Sequence, residues 1–187
     1  LLRKGSCIRF EIWNLYIFIM FYGGVMNLEK GKSIFFKYYG NSMYIDREVG
    51  DEYDKCGIPK EYEIKWKEEI KKYLLTRIEL FQGQELCFYV VIYTDLIKNN
   101  EAIDFVFDLL KKRKVDTVTS IILLEHVKEL AKGNASIRKF WVKTVVNKFK
   151  SELMSSEITI DPSYMKSEWC DKKVLSKESI RKRIEKL

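Results

Sequence analysis

The chain has 187 residues, 34 of them basic and 27 acidic, with 47% hydrophobic residues, two prolines and four cysteines. That richness in aliphatic and aromatic side chains excludes an intrinsically disordered chain, and the scarcity of Pro and Cys excludes collagen-like and disulfide-stapled ones. The length suits a single globular domain with its own core, and a net charge of +7 is modest enough to serve solubility alone. Lys outnumbers Arg 26 to 8, Ile occurs 20 times and Ala three times. This is the signature of an AT-rich coding sequence, as in low-GC bacteria, so part of the lysine excess reflects codon usage.

Residues 1–25 stand apart. Leu1 is not a methionine, Arg3, Lys4 and Arg9 come early, and Ile12 to Val25 is apolar apart from Asn14. Three readings are open. A membrane span needs about 20 apolar residues, more than this run supplies. A secretory signal has this basic-then-apolar order, but no small-x-small cleavage site follows. The third reading is an untranslated leader: Gly23-Gly24 can be encoded by a ribosome-binding sequence just before the codon for Met26. The domain is therefore taken as residues 26–187, which carry 31 basic and 26 acidic side chains.

Ser33 to Tyr39 (SIFFKYY) and Met43 to Asp46 (MYID), separated by Gly40-Asn41-Ser42, read as a small β-hairpin over 33–46. Residues 59–187 read as mostly helical. Pro59 fits the first turn of a long amphipathic helix through Ile64, Trp66, Ile70, Leu74 and Ile78, with Gly83 as its stop. Leu86 to Tyr93 (LCFYVVIY) has strand-forming residues, yet Leu86, Tyr89, Val90 and Tyr93 also share a helical face. Closely spaced helical patterns follow. One runs through Ile103, Val106, Phe107 and Leu110. The next is capped by Asp116 or Thr117 and buries Ile121, Ile122, Leu124, Val127 and Leu130. A third is capped by Ser136 and buries Phe140, Trp141, Val145, Val146 and Phe149. Ser155 to Trp169 reads as irregular with a turn at Asp161-Pro162-Ser163, and Ser176 caps a last helix from Lys177 to Lys186. The expectation is a mainly α protein of antiparallel helical hairpins, stacked in the HEAT or armadillo manner, with the small N-terminal β-hairpin in front.

The chemistry-bearing residues give few constellations. His126 is the only histidine, with Glu125 beside it and Glu129 three residues on. HExxH, CxxC, GxxxxGK[ST] and GxGxxG are all absent, so no catalytic residue, metal ligand or cofactor is expected. The plain reading of His126 is a helical residue in or near the core. Cys56, Cys87 and Cys170 are widely spaced free thiols, which suits the cytoplasm.

Two charge clusters remain. Asp46, Glu48, Asp51, Glu52 and Asp54 gather five carboxylates, and the tyrosines Tyr38 and Tyr44 flank them. Their spacing is not that of a calcium loop; with exposed aromatics they make a partner-binding surface. The basic run Lys111 to Lys114, together with Lys139, Lys143, Lys148, Lys150, Arg181, Lys182, Arg183 and Lys186, forms a stripe for phosphates, though no recognition signature accompanies it. The sequence therefore favours a cytoplasmic bacterial accessory protein that binds another protein without catalysis, an immunity or antitoxin-like inhibitor being one form. The alternatives are a nucleic-acid-associated protein acting through basic helix ends, and an enzyme with a site near His126. A membrane partner enters only if residues 1–25 are translated.

Overall fold

The computed structural model describes residues 27–97, 99–133, 139–166 and 172–187. The described residues form nine α-helices and one 3-10 turn joined by short connections, with no strand among them. Among these helices none is long and apolar enough to cross a membrane; the apolar run Ile12–Val25, Ser136 and Cys170 lie outside the described residues. The chain divides into two compact units at Ile70 and Lys71.

The first unit holds α1 (Leu28–Lys37), α2 (Ser42–Asp54) and the opening turns of α3 (Lys60–Leu80). Here the hairpin expectation fails: residues 33–46 end one helix and start another. The reason lies in Gly40-Asn41, a dipeptide that serves helix ends as well as it serves hairpins. Tyr39 (φ 51) and Gly40 (φ 68) take left-handed conformations. Tyr39 N–H donates to the Phe36 carbonyl (3.1 Å) and Gly40 N–H to that of Phe35 (2.8 Å). This paired arrangement is a Schellman stop. Asn41 then caps α2, its side chain accepting from Tyr44 N–H. The buried Phe35 ring packs on Tyr53 (centroids 6.2 Å apart) and Trp66 (5.6 Å). Phe35, one of the aromatics that suggested a strand, is thus in the core of a small helical unit.

The second unit holds the rest of α3, then α4 (Gly83–Ile97), α5 (Asn99–Lys112), α6 (Thr117–Gly133), α7 (Lys139–Ser155), α8 (Pro162–Lys166), a 3-10 turn (Lys172–Leu175) and α9 (Lys177–Lys186). The ambiguous run Leu86–Tyr93 is helical: Leu86, Cys87, Val90, Tyr93 and Thr94 are buried while Phe88 and Asp95 face solvent, a 3.6-residue period. Helix α4 packs on α5, α6 and α8, and α6 packs on α5, α7 and α9 as well. Helix α6 is the centre, with Val118, Ile121, Leu123, Leu124 and Val127 all at 1% exposure or less. A second cluster joins Val118 and Ile121 to Tyr164, Leu175, Ile180 and Ile184, so α8, the 3-10 turn and α9 close over the start of α6. Two residues expected on buried faces fail: Ile64 is 59% exposed, and Phe140 is 86% exposed because α7 turns Val142 and Val146 inward instead.

The polar segment 156–163 is fixed by hydrogen bonds. Asp161 accepts from Ser163 N–H (2.9 Å), and Ser163 Oγ accepts from Gln84 N–H (3.0 Å) at the start of α4. Gly83 is the residue that permits this approach. Its φ is +58°, and a Cβ there would lie 2.3 Å from both Asp161 Oδ1 and Ser163 Oγ. Gly83→Ala combines backbone strain with a clash. It is expected to cost about 1–3 kcal/mol and to lower the thermal midpoint by about 2–4 °C per kcal/mol, measured by circular dichroism.

Candidate functional site

The acidic cluster lies on α2. Ile45 and Tyr53 turn inward, eight residues apart on one stripe, and Asp46, Glu48, Asp51, Glu52 and Asp54 are left exposed. The helix is kinked at Val49 (φ −151°, ψ 24°). Tyr53 holds the inner face, its buried hydroxyl donating to Glu63 (2.9 Å); burial, then that bond, push its pKa upward.

On the outer face the pairing is local. Arg47 donates to Glu48 (2.8 and 2.7 Å) and its guanidinium lies over the half-exposed Tyr44 ring, 4.9 Å from the centroid. Lys30 meets Glu52 at 2.8 Å, and that hydrogen bond lowers the Glu52 pKa and raises that of Lys30. Such exposed pairs stabilise the fold little. Six of the seven expected residues are thus brought together on one helix. Tyr38 sits apart, at the C-terminal cap of α1, with the Lys37 ammonium 5.2 Å from its ring centroid. Among the described residues no group of three or more His, Cys, Asp or Glu is arranged to hold a metal ion.

His126 is built into the α4–α6 interface. Its Nε2 lies 2.7 Å from Thr94 Oγ1, and that hydroxyl is also within reach of the Val90 and Val91 carbonyls (3.0 and 2.8 Å). Glu125, its neighbour in sequence, receives Arg183 Nε (3.2 Å) and an Arg183 terminal amine (2.6 Å). Cys87 lies elsewhere in the same interface. Its thiol is 3.2 Å from the Tyr164 hydroxyl, which is 3.0 Å from Thr119 Oγ1. Cys87 precedes Thr94 by seven residues on α4, about 10 Å along the helix axis, so thiol and imidazole sit at separate levels. Burial pushes the Cys87 thiol up to about 11, the wrong direction for a nucleophile. The Cys–His arrangement that nucleophilic catalysis requires is therefore not formed by this pair.

The basic residues divide by role. Arg113 donates to the Ile78 and Phe81 carbonyls and so caps the end of α3; it closes a helix end and does not extend a phosphate stripe. Lys111 and Lys112 lie near Asp108 (3.9 and 3.6 Å). Arg183 is committed to Glu125, Lys182 to Glu178 (2.7 Å) and Lys150 to the Glu185 carbonyl. These contacts occupy part of the expected stripe; Lys114, Lys139, Lys143, Lys148, Arg181 and Lys186 stay exposed with no ion pair among the described residues. Of these, Lys139 and Lys143 join Lys128 and Lys132, which local pattern does not group with them, around a small apolar groove. The signal was present as two i, i+4 lysine pairs, one near the end of α6 and one at the start of α7. No family model, curated protein sequence or solved structure matches this chain.

One pH response follows from His126. Burial lowers its pKa below the ordinary 6.5, against a smaller opposing pull from Asp95. The unfolded chain then binds more protons than the folded one between the two values. Stability is complete above about pH 6.5 and falls as pH drops through the window below it. Urea midpoints measured from about pH 7.5 to pH 5 are expected to decline less in His126→Gln than in the native protein; parallel declines would remove His126 as the source.

Proposed function

We propose that this is a non-catalytic protein-binding protein whose recognition surface is the outer face of α2. The observation that carries the reading is that Asp46, Glu48, Asp51, Glu52 and Asp54 are all exposed on one helix whose other side is fixed by Ile45 and Tyr53. Carboxylates held on a supported helix are pre-organised, and Tyr44 adds a partly exposed aromatic of the kind enriched in interfaces. Such a surface fits a basic protein partner, and its charges steer encounter more than they add raw affinity. An inhibitor of the immunity or antitoxin kind is the concrete form, acting in the cytoplasm of a low-GC bacterium. In the second unit, α4 touches both α5 and α6 while α6 touches both α5 and α7. That neighbour pattern is compatible with stacked helical hairpins of the HEAT or armadillo kind, a layout that offers extended surface.

The test uses the full chain as bait in a nuclease-treated lysate of the source organism. A co-purifying basic protein is expected. The double variant Asp51→Lys, Glu52→Lys is expected to lower its recovery about tenfold with an unchanged thermal midpoint, since the ion pair lost among the described residues is the exposed one to Lys30. Equal recovery by the variant removes α2 from the reading.

A further inference from the structure

The second unit carries a surface of opposite sign. Between α6 and α7 lies a groove with a cavity of about 220 Å³. Its floor is apolar: Ala131, Val142, Val146 and Leu187. Its rim is lysine: Lys128 and Lys132 from α6, Lys139 and Lys143 from α7. Lys128 donates to the Lys186 and Leu187 carbonyls (2.9 Å each), which draws the end of α9 against the groove. Lys132 pairs with Glu129 (2.6 Å) in an exposed contact. Lys139 and Lys143 are exposed and make no ion pair among the described residues. Among the described residues no Asp or Glu side chain lines the groove.

We infer that this groove docks an acidic peptide segment of a partner protein, one bulky apolar side chain entering the cavity and flanking carboxylates meeting the lysines. Size and charge select this occupant. The cavity is below the range of about 300–1,000 Å³ that drug-sized ligands and cofactors occupy, and it suits a single Leu, Phe or Trp side chain as anchor. A nucleic-acid backbone would use the lysines and leave the apolar floor without a role. A membrane would call for a protruding apolar face, not a recess. Lysine stems can lie along the apolar wall and still carry their charge to a neighbouring carboxylate. This site is independent of α2 and does not rest on the function proposed for it.

Labelled peptides of the form Glu-Asp-X-Asp-Glu, with X as Leu, Phe or Trp, are titrated against the full chain by fluorescence anisotropy. Saturable binding is expected for at least one. Replacing X by Ser should weaken it about tenfold, and so should replacing the carboxylates by Gln and Asn. Those changes leave the protein untouched, so they separate anchoring from folding. Lys139→Glu with Lys143→Glu, both exposed positions, should weaken binding by a similar factor while circular dichroism stays unchanged. Binding that ignores X, binding that survives the double variant, or no binding by any of the three peptides overturns the proposal. Tighter binding by a labelled duplex DNA or by octanoate, lost in the same double variant, overturns it in favour of those ligands.

Discussion

The second unit depends on how the start of α6 is satisfied. A helix begins with four N–H groups that have no partner of their own, and here that end is buried, since Thr117, Val118, Thr119 and Ser120 are all inaccessible. Left unpaired in the interior, each would cost about 1–3 kcal/mol. All four are met. Thr117 N–H donates to Thr159 (3.1 Å), Val118 and Thr119 N–H to Asp116 Oδ1 (3.0 and 3.1 Å), and Ser120 N–H to the Asp116 carbonyl (3.0 Å). Asp116 Oδ2 also accepts from the Thr119 hydroxyl, which leads on to Tyr164 and Cys87. One capping carboxylate thus ties α6 to α4 and α8, and Thr159 ties the connection after α7 to the same end. The central helix can be buried this deeply only because segment 158–164 brings polar partners in with its apolar ones.

That dependence explains which parts of the fold were legible in sequence. Periodicity locates α3, α5, α6 and α9 well, because each turns one apolar stripe inward. The cap residues Asp116 and Ser176 are legible for the same local reason, and both accept the expected backbone bonds. What local pattern cannot supply is the identity of the neighbour. Thr159 and Ser163 look like ordinary loop residues until they are placed against α6 and α4. The hairpin error has the same root. Gly40-Asn41 specifies a left-handed turn followed by a side-chain cap, and whether strands or helices flank it depends on Phe35 finding Tyr53 and Trp66. Phe140 fails for the opposite reason: its spacing fits the buried face, but Val142 and Val146 occupy that face and leave it in solvent.

The surfaces were unequally legible. A cluster of carboxylates must stay in water, so the exposure of Asp46 to Asp54 follows from composition alone, whichever secondary structure carries it. The lysine groove depends on tertiary contact. Its four lysines come from two helices joined through residues 134–138, and its floor includes Leu187, more than forty positions beyond Val146 in sequence. Sequence reading grouped Lys139 and Lys143 with Lys148 and Lys150 because they share a helix. The fold groups them with Lys128 and Lys132 instead.

The division of labour between the two cations completes the argument. Among the described residues four arginines make fixed contacts: Arg113 with the carbonyls ending α3, Arg183 with Glu125, Arg77 stacked over Tyr73 and Phe81, and Arg47 over Tyr44. A planar five-donor fork suits such fixed, directional contacts. Lysine, far more abundant, supplies most of the charge at the surface. An ammonium on a flexible stem is strongly hydrated and gains little from one exposed partner. Lysines alone would therefore give weak contacts that salt screens. The groove differs from the other basic surface in setting its lysines around an apolar recess. In the docking proposed for it, the burial of one side chain, about 25 cal/mol per Å² of apolar area, would supply what the charges cannot, and the charges would decide which surroundings of that side chain are admitted.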